Sequence, residues 1–546
     1  LPEIWRWLAK SGLVLAVLWA PPQARADPLG CGTVVIPPGI GIGPSEDITS
    51  LNPLFVDSIY NEQAAWLLYP ELVWVNRFHQ VDWQRSLASA ITSPDGGRTY
   101  QVTLRPWRWS DGVALTSGDV AYALDLIRQL GETWPGYGGG GMPGIIQHLT
   151  VQDATHFTVV LTHRANAEWF IYNGLTQLTP LPRHAWAKYT IDQLQALQSS
   201  PAFFNVVGGP LKISKLTVGQ DAVFVPNPAY QGLKMHFSRL VFRFLESDGV
   251  GLQALQSGDL DMTNLPFSLW GAASHLQEIY EVVMAPQENW YFISINFQNP
   301  AVAFFRDVRV RQAMADAINQ RQLSKLVYHG QGIQVYGPVP PDPPDFLSPA
   351  MQAGHYPVGY DVARARALLL AAGFRPGPDG IMVKDGRKLS FDFLIQSGDT
   401  ASELVTNMLD SEFRAVGIEI NVQEMEFNQL VARIDGPPTG WESAYIYMNL
   451  SPYPSGEGLF RTGAFQNNGA YSDRKMDALI DASVDTPGLG GLYAYEDYAS
   501  AQQPVVFVGG QKITVLVRDR LHGVKEFLDP VGQYAPEQLY CTEEKN

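Results

Sequence analysis

A chain of 546 residues is too long for one hydrophobic core and calls for two or three domains. Its 54 acidic residues against 38 Lys and Arg give a net charge of −16, which repels polyanions and argues against a nucleic-acid partner. Aromatic residues make up 11% of the chain, enough to line a sizeable pocket as well as to fill cores.

Residues 1–26 read as an export signal. Arg6 and Lys10 precede the apolar run 12–20, and Ala24, Arg25 and Ala26 have the small-x-small form of a cleavage site, so a mature chain is expected to start at Asp27. A membrane anchor is the alternative, but a span needs about 20 apolar residues, and this run is bounded by Lys10 and by Pro21 and Pro22. Cys31 stands well behind the apolar run, which favours a soluble product over a lipoprotein. In an oxidising compartment Cys31 and Cys541 can pair. Two unrelated surface thiols are the other reading.

Residues 32–36 are an expected strand. The glycine-rich loop 37–44 leads to Pro44 and not into the helix that a dinucleotide fingerprint requires. Residues 82–109 alternate apolar and polar positions around the turn 93–97, so they predict a hairpin whose second strand is 99–105. Thr116, with Asp119 three residues on, predicts a capped helix carrying Val120, Ala123, Leu124 and Ile127 on one face. The glycine run 136–144 predicts a mobile surface loop and lacks the Lys-Ser/Thr pair of a phosphate cradle.

A second unit begins near 208–210, with strands expected at 211–214, 221–226 and 240–244 and a helix over 249–257 stopped by Gly258. This alternation points to α/β lobes. Asp307 is expected to cap a helix that buries Val310, Ala313, Met314, Ala317 and Ile318, with Arg309, Arg311 and Asp316 on its other faces. Asp361 caps 362–372 in the same way, closed by Gly373. Between these helices, 337–345 reads as a stiff linker or rim loop with PPII character, best taken as a rigid crossover.

No spacing of the ten histidines makes a zinc site, and His156 and His163 are expected to flank the strand 157–162 on the surface. There is no G-x-S-x-G elbow, and neither cysteine has the setting of a nucleophile. Asp259 and Asp261 have the composition of a glycosidase pair, but 258–262 reads as a solvated turn entering a strand. No catalytic residue, cofactor or metal is therefore expected, although spacing cannot reveal a triad assembled from distant residues.

The stretch from Leu104 to Val120, LRPWRWSDGVALTSGDV, resembles the strand-turn-helix of the extracellular solute-binding proteins of family 5, the dipeptide, oligopeptide and nickel type that serve ABC importers. Further stretches resemble the family in the same order: LNP at 51–53, GPLKI at 209–213, NPAY at 227–230, LQALQSGDLD at 252–261, FRDVRVRQA at 305–313, YDVARARALLLAAGF at 360–374 and NGAYSDRKMD at 468–477. The resemblance implies an α/β, two-lobed periplasmic-binding-protein fold with a hinge and an extra inserted domain, the large cluster C type. Mapped onto this chain it implies lobe I from 27–73, 205–289 and 503–546, an accessory inserted domain at 74–204 and lobe II at 290–502. The hinge would lie near 289 and 503.

The implied role is a soluble periplasmic receptor, monomeric, that delivers a solute to the permease of an ABC importer. The solute would be a peptide, a modified peptide, an opine-like or sugar-containing compound, or a metal chelate. A secreted solute sensor or a hydrolase using the same cleft is the alternative. The resemblance places ligand contacts in 441–460, with Trp441, Tyr445, Tyr447 and Tyr453 as apolar walls and Asn449 or Glu457 orienting a polar ligand. Peptide-binding members commonly hold the ligand's ammonium with an Asp in this segment. None occurs here between Trp441 and Phe460, so peptides with a free amino terminus are disfavoured unless Glu457 takes that part.

Overall fold

The computed structural model describes residues 30–542, apart from 41–46, 57, 77, 266–268, 270–275, 277, 286–288, 343, 465 and 529–532. The expected signal segment lies outside the described residues.

The first lobe is built on two sheets. Cys31–Ile36 pairs in parallel with Phe237–Arg243, and the sheet continues antiparallel through Asp221–Pro226 to Leu211–Thr217. Its apolar positions alternate, so Val34, Ile36, Ala222, Phe224, Leu240 and Phe242 are all fully buried. In the second sheet Met262–Asn264 and Tyr280–Ala285 flank Ile513–Arg518, both antiparallel to it. Cys31 and Cys541 are joined by a disulfide with Cα atoms 5.0 Å apart, which decides between the two readings of these residues.

The second lobe carries a six-stranded sheet in the order Gly332–Ile333, Val506–Gln511, Asn289–Ile295, Ser443–Asn449, Ser390–Gln396, Glu419–Met425. One face, with Tyr291, Ile293, Phe391 and Phe393, is covered by the helices Val308–Ala317, Val362–Ala371 and Thr400–Val416. The other face, with Trp290, Phe292 and Phe507, packs into a core shared with the helices Arg474–Asp485 and Gly490–Gln502. Val506–Gln511 is hydrogen-bonded into this sheet, and the chain changes sheet between Gln511 and Ile513.

Between the parts of the first lobe, an antiparallel sheet in the order Ala88–Thr92, Thr99–Leu104, His156–Leu161, Ile146–Val151 packs against the helix Ser117–Leu130. The hairpin forms as its turn predicts, with Asp95 Oδ1 accepting the Thr99 N–H at 2.9 Å. This unit is tied to the first lobe by backbone hydrogen bonds from Leu87 to Glu71 and from Ser110 to Val207, and by the Trp107 indole donating to the Gly208 carbonyl.

Three local expectations change. The run 136–144 is packed and not a free loop: Gly140 is buried at φ 58°, and a Cβ there would stand 2.1 Å from the Asn173 carbonyl oxygen. Gly258 and Asp259 are exposed as expected, but Asp261 at the end of the same turn is 2% exposed and paired with Arg520. Arg311 and Asp316 are buried along with the apolar face of their helix, because each is satisfied there. Arg311 donates to the carbonyls of Phe305, Gln502 and Gln503, and Asp316 pairs with Arg364 and accepts the Gly359 N–H.

Candidate functional site

The chain passes between the three-stranded and six-stranded sheets after Ala285 and after Gln511. Beside these crossings, Trp290 Nε1, Gln511 Oε1 and Thr514 Oγ1 are buried without a hydrogen-bond partner among the described residues. Leaving such an atom unsatisfied costs roughly 1–3 kcal/mol; Trp109 Nε1, Thr406 Oγ1 and others among the described residues share this condition, so it is their place beside the crossings that sets these three apart. Trp290 is 1% exposed, and its ring is fixed by edge-on contacts with Phe292 and Phe507, each at 5.2 Å between centroids. Gln511 stands opposite Gly332 in the six-stranded sheet, and Thr514 opposite Met284 in the three-stranded sheet. The set comprises one N–H donor, one carbonyl acceptor and one hydroxyl that does both, and it carries no charge. A small cavity lined by Phe292, Ser294, Ile446, Phe460, Asn467 and Tyr471 lies on the sheet face that carries Trp290.

The segment expected to hold the solute is divided among three environments. Trp441 is 3% exposed and packs with Leu394, Leu430, Ile434 and Ala444, while its carbonyl accepts from the amides of Asn296 and Asn299 at 3.1 and 2.8 Å. Tyr445 stacks on Tyr291 at 5.2 Å and 18° between planes, and burial pushes its phenol well above the usual range. Tyr447 is half-buried on the same strand, 5.6 Å from the Tyr291 ring. Since neighbouring strand residues face opposite ways, Tyr445 and Tyr447 lie on the face away from Trp290. Asn449 stands in register with Asn289 beside the first crossing, and its side chain lies outside the described residues.

Tyr453 and Glu457 are turned toward the inserted unit. Tyr453 is fully buried, and its hydroxyl accepts from Asn166 Nδ2 at 3.1 Å. Glu457 Oε1 accepts from the Gly140 N–H at 3.1 Å, and Oε2 accepts from the Trp169 indole at 2.7 Å and from the Ser455 hydroxyl. Loss of solvent raises its carboxyl above the ordinary range even so. The other carboxylate of the segment, Glu442, accepts the Asp392 N–H at 2.7 Å. Trp290, Gln511 and Thr514 escape a reading of the sequence, because nothing in a strand pattern says which polar atom folding leaves without a partner.

Residues 82–466 match the bacterial extracellular solute-binding proteins, family 5 (middle). The oligopeptide-binding protein AppA of Bacillus subtilis is 23% identical over 452 residues, which span 80% of this chain and 79% of AppA. The oligopeptide-binding protein OppA of Lactococcus lactis subsp. lactis (strain IL1403) is 24% identical over 447 residues, 74% of this chain and 72% of OppA. In fold, the structure resembles AppA in complex with a nonapeptide, with a TM-score of 0.77 over 94% of this chain and 100% of that one at 21% identity. It also resembles NikZ of Campylobacter jejuni in complex with Ni(L-His), with a TM-score of 0.74 over 91% of this chain and 96% of that one at 18% identity. The fold is thus the two-lobed periplasmic-binding type, and the chain belongs to the bacterial extracellular solute-binding proteins of family 5.

Proposed function

We propose that this chain is the extracytoplasmic receptor of an ABC importer, which captures a small, polar, peptide-like solute between its lobes and presents it to the permease. Among the described residues no helix is long and apolar enough to cross a membrane. Lobe I then comprises 27–73, 205–285 and 512–546, with the insert at 74–204. Lobe II comprises 290–511, and the two crossings act as the hinge.

The observation that carries the choice of solute is the uncharged trio of Trp290 Nε1, Gln511 Oε1 and Thr514 Oγ1 beside those crossings. A donor, an acceptor and a hydroxyl complement amide groups, whose N–H and C=O need both kinds of partner. Tyr447 and Asn449 stand at the strand end nearest the first crossing, at the strand positions that alternate with the one opposite Trp290, and are proposed as further contacts from that side. Trp441, Tyr445 and Tyr453 are proposed as the frame behind them. With Glu442 and Glu457 both engaged elsewhere, recognition rests on amides and not on a terminal ammonium. The oligopeptides named for AppA and OppA are of this peptide-like class, whereas the Ni(L-His) bound by NikZ is a metal chelate without an amide bond.

Mass spectrometry of the small-molecule fraction released on unfolding identifies what the protein retains. Calorimetry then compares a di- to pentapeptide library with its amino-acetylated copy. Binding that survives acetylation is the expected outcome. Binding abolished by acetylation would remove the amide-based reading, and an empty fraction together with silence from both libraries would remove the peptide-like class.

A further inference from the structure

Residues 139–174 of the insert meet 453–488 of the second lobe through a contact built largely of hydrogen bonds. The Asn173 amide takes both backbone groups of Tyr453: its Oδ1 accepts the Tyr453 N–H at 3.0 Å, and its Nδ2 donates to the Tyr453 carbonyl at 2.8 Å. Asn166 caps the short helix Ala167–Trp169 with its Oδ1 and spends its Nδ2 across the contact, on the Tyr453 hydroxyl and the Gly488 carbonyl, both at 3.1 Å. Its backbone N–H donates to the Val484 carbonyl at 2.6 Å. Glu457 closes the set by accepting from Gly140 and Trp169. Phe346 packs edge-on between His79 and Tyr453, with centroid distances of 4.8 and 5.3 Å.

The two sides of this contact belong to bodies that move apart when a two-lobed trap opens. The insert is hydrogen-bonded into the first lobe at both of its ends, whereas 453–488 follows the Ser443–Asn449 strand of the six-stranded sheet. Amide and carboxylate groups on both sides can be hydrated once separated, although Trp169, Phe346 and Tyr453 belong to one continuous apolar core, so parting also uncovers aromatic surface. The position of Gly140 is equally specific, since a side chain there would collide with Asn173 and push its N–H away from Glu457. We propose that this contact is a latch that fastens the insert to the second lobe and holds the solute cleft shut, with Asn173 and Glu457 as its working parts. The proposal rests on the two-lobed-trap reading above.

The surroundings of Glu457 give the latch a second property. Tyr453 from its own segment and Tyr495 from the helix Gly490–Gln502 are the titratable groups that feel its charge. These neighbours include no Lys or Arg. Burial raises the Glu457 carboxyl when the contact is made, and water returns it toward its ordinary range when the contact parts. Closure therefore takes up a proton. The closed form is favoured at low pH and weakens as pH rises through the raised value.

Solution scattering of solute-stripped protein tests this at two pH values, one near the ordinary carboxyl range and one well alkaline of it. The wild-type radius of gyration is expected to grow between the two. Glu457→Gln should lose the pH dependence, because it has no ionisable group, even though its amide accepts from only one of the Gly140 and Trp169 N–H donors, and Asn173→Ala should be expanded at both. Circular dichroism verifies folding, and the near-isosteric Glu457→Gln carries the test if Asn173→Ala fails to fold. A wild-type radius that ignores pH, or variants equal to wild type at both values, overturns the latch. Adding back the small-molecule fraction released on unfolding separates the two readings. Equal contraction of wild type and variants keeps the trap and removes the latch, whereas no contraction of any of them removes the trap as well.

Discussion

Asp261 and Arg520 form an ion pair across the first lobe, with Arg520 Nη2 2.6 Å and Nε 2.7 Å from Asp261 Oδ1. The second carboxylate oxygen accepts the Val35 N–H at 2.8 Å, and Arg520 Nη2 also donates to the Thr33 carbonyl at 2.8 Å. Three segments far apart in sequence are thereby pinned together: the first strand, the approach to Met262–Asn264 and the C-terminal region.

The pair is lopsided in exposure, and that sets the order of its mutants. Asp261 is 2% exposed in its side chain, whereas Arg520 keeps 24% in contact with water. Arg520→Met strands a carboxylate in the interior and should cost about 3 kcal/mol or more. Asp261→Asn keeps an acceptor for Val35 and leaves Arg520 free to hydrate, so about 1–2 kcal/mol is expected. Urea denaturation of both variants checks the order, and a costlier Asp261→Asn would show that the arginine, not the carboxylate, is the poorly solvated partner.

The Cys31–Cys541 disulfide closes a loop spanning 510 residues of sequence and fastens both described ends into the same lobe. Cross-linking so long a loop restricts the unfolded chain, and its removal should lower stability by up to about 5 kcal/mol. Cys31→Ser with Cys541→Ser, melted beside wild type, measures the loss. Peptide mapping under non-reducing conditions should recover the two cysteines in one linked fragment.

What the sequence made legible is what neighbours in the chain decide. Thr116 and Asp119 lie three residues apart, and the Thr116 N–H donates to Asp119 Oδ2 at 2.8 Å at the start of the expected helix. Asp307 and Asp361 likewise cap their helices, each accepting an N–H from two or three residues on. Buried polar residues were not legible, because the group that satisfies each is remote: Arg364 for Asp316, Arg520 for Asp261, Asn173 for the backbone of Tyr453. An aromatic residue in a strand also reads the same whether it faces a cleft or a core. Tyr445 was therefore an expected wall, and it stacks on Tyr291 beneath covering helices.

Two buried carboxyls away from the cleft make global stability depend on pH. Burial holds Glu496 up at about 8, against an ordinary 4.5, even though its Oε2 accepts the Ser348 N–H at 2.5 Å. It holds Glu412 at about 7, where one oxygen accepts the Asn319 N–H at 3.2 Å and the other has no partner. Both values are raised on folding, so their contribution is fully present below 4.5 and is lost as pH rises through about 7 and about 8. The urea midpoint should fall across that window, and Glu412→Gln with Glu496→Gln should flatten the decline. An unchanged slope in the double variant would assign the pH dependence to other groups.

Thr514→Val separates a solute contact from a structural residue more cleanly than any substitution in 441–460. Thr514 is 5% exposed, its hydroxyl lacks a partner, and its backbone is held in the sheet opposite Met284 while its carbonyl accepts the Leu265 N–H at 3.0 Å. Valine preserves the shape and the strand conformation and removes only the unsatisfied hydroxyl. The solute-free variant should therefore be as stable as wild type or gain about 1 kcal/mol. If the hydroxyl meets a solute group, binding of the molecule recovered from wild type should weaken roughly 10-fold, the equivalent of one lost hydrogen bond. Trp290→Phe applies the same logic to the indole N–H, with some stability lost because a smaller ring leaves space beside Phe292 and Phe507. Calorimetry with the recovered molecule and thermal melts without it give the two readings for each variant. Weaker binding at unchanged stability for Thr514→Val places the solute at the crossings, and unchanged binding in both variants would move it elsewhere in the cleft.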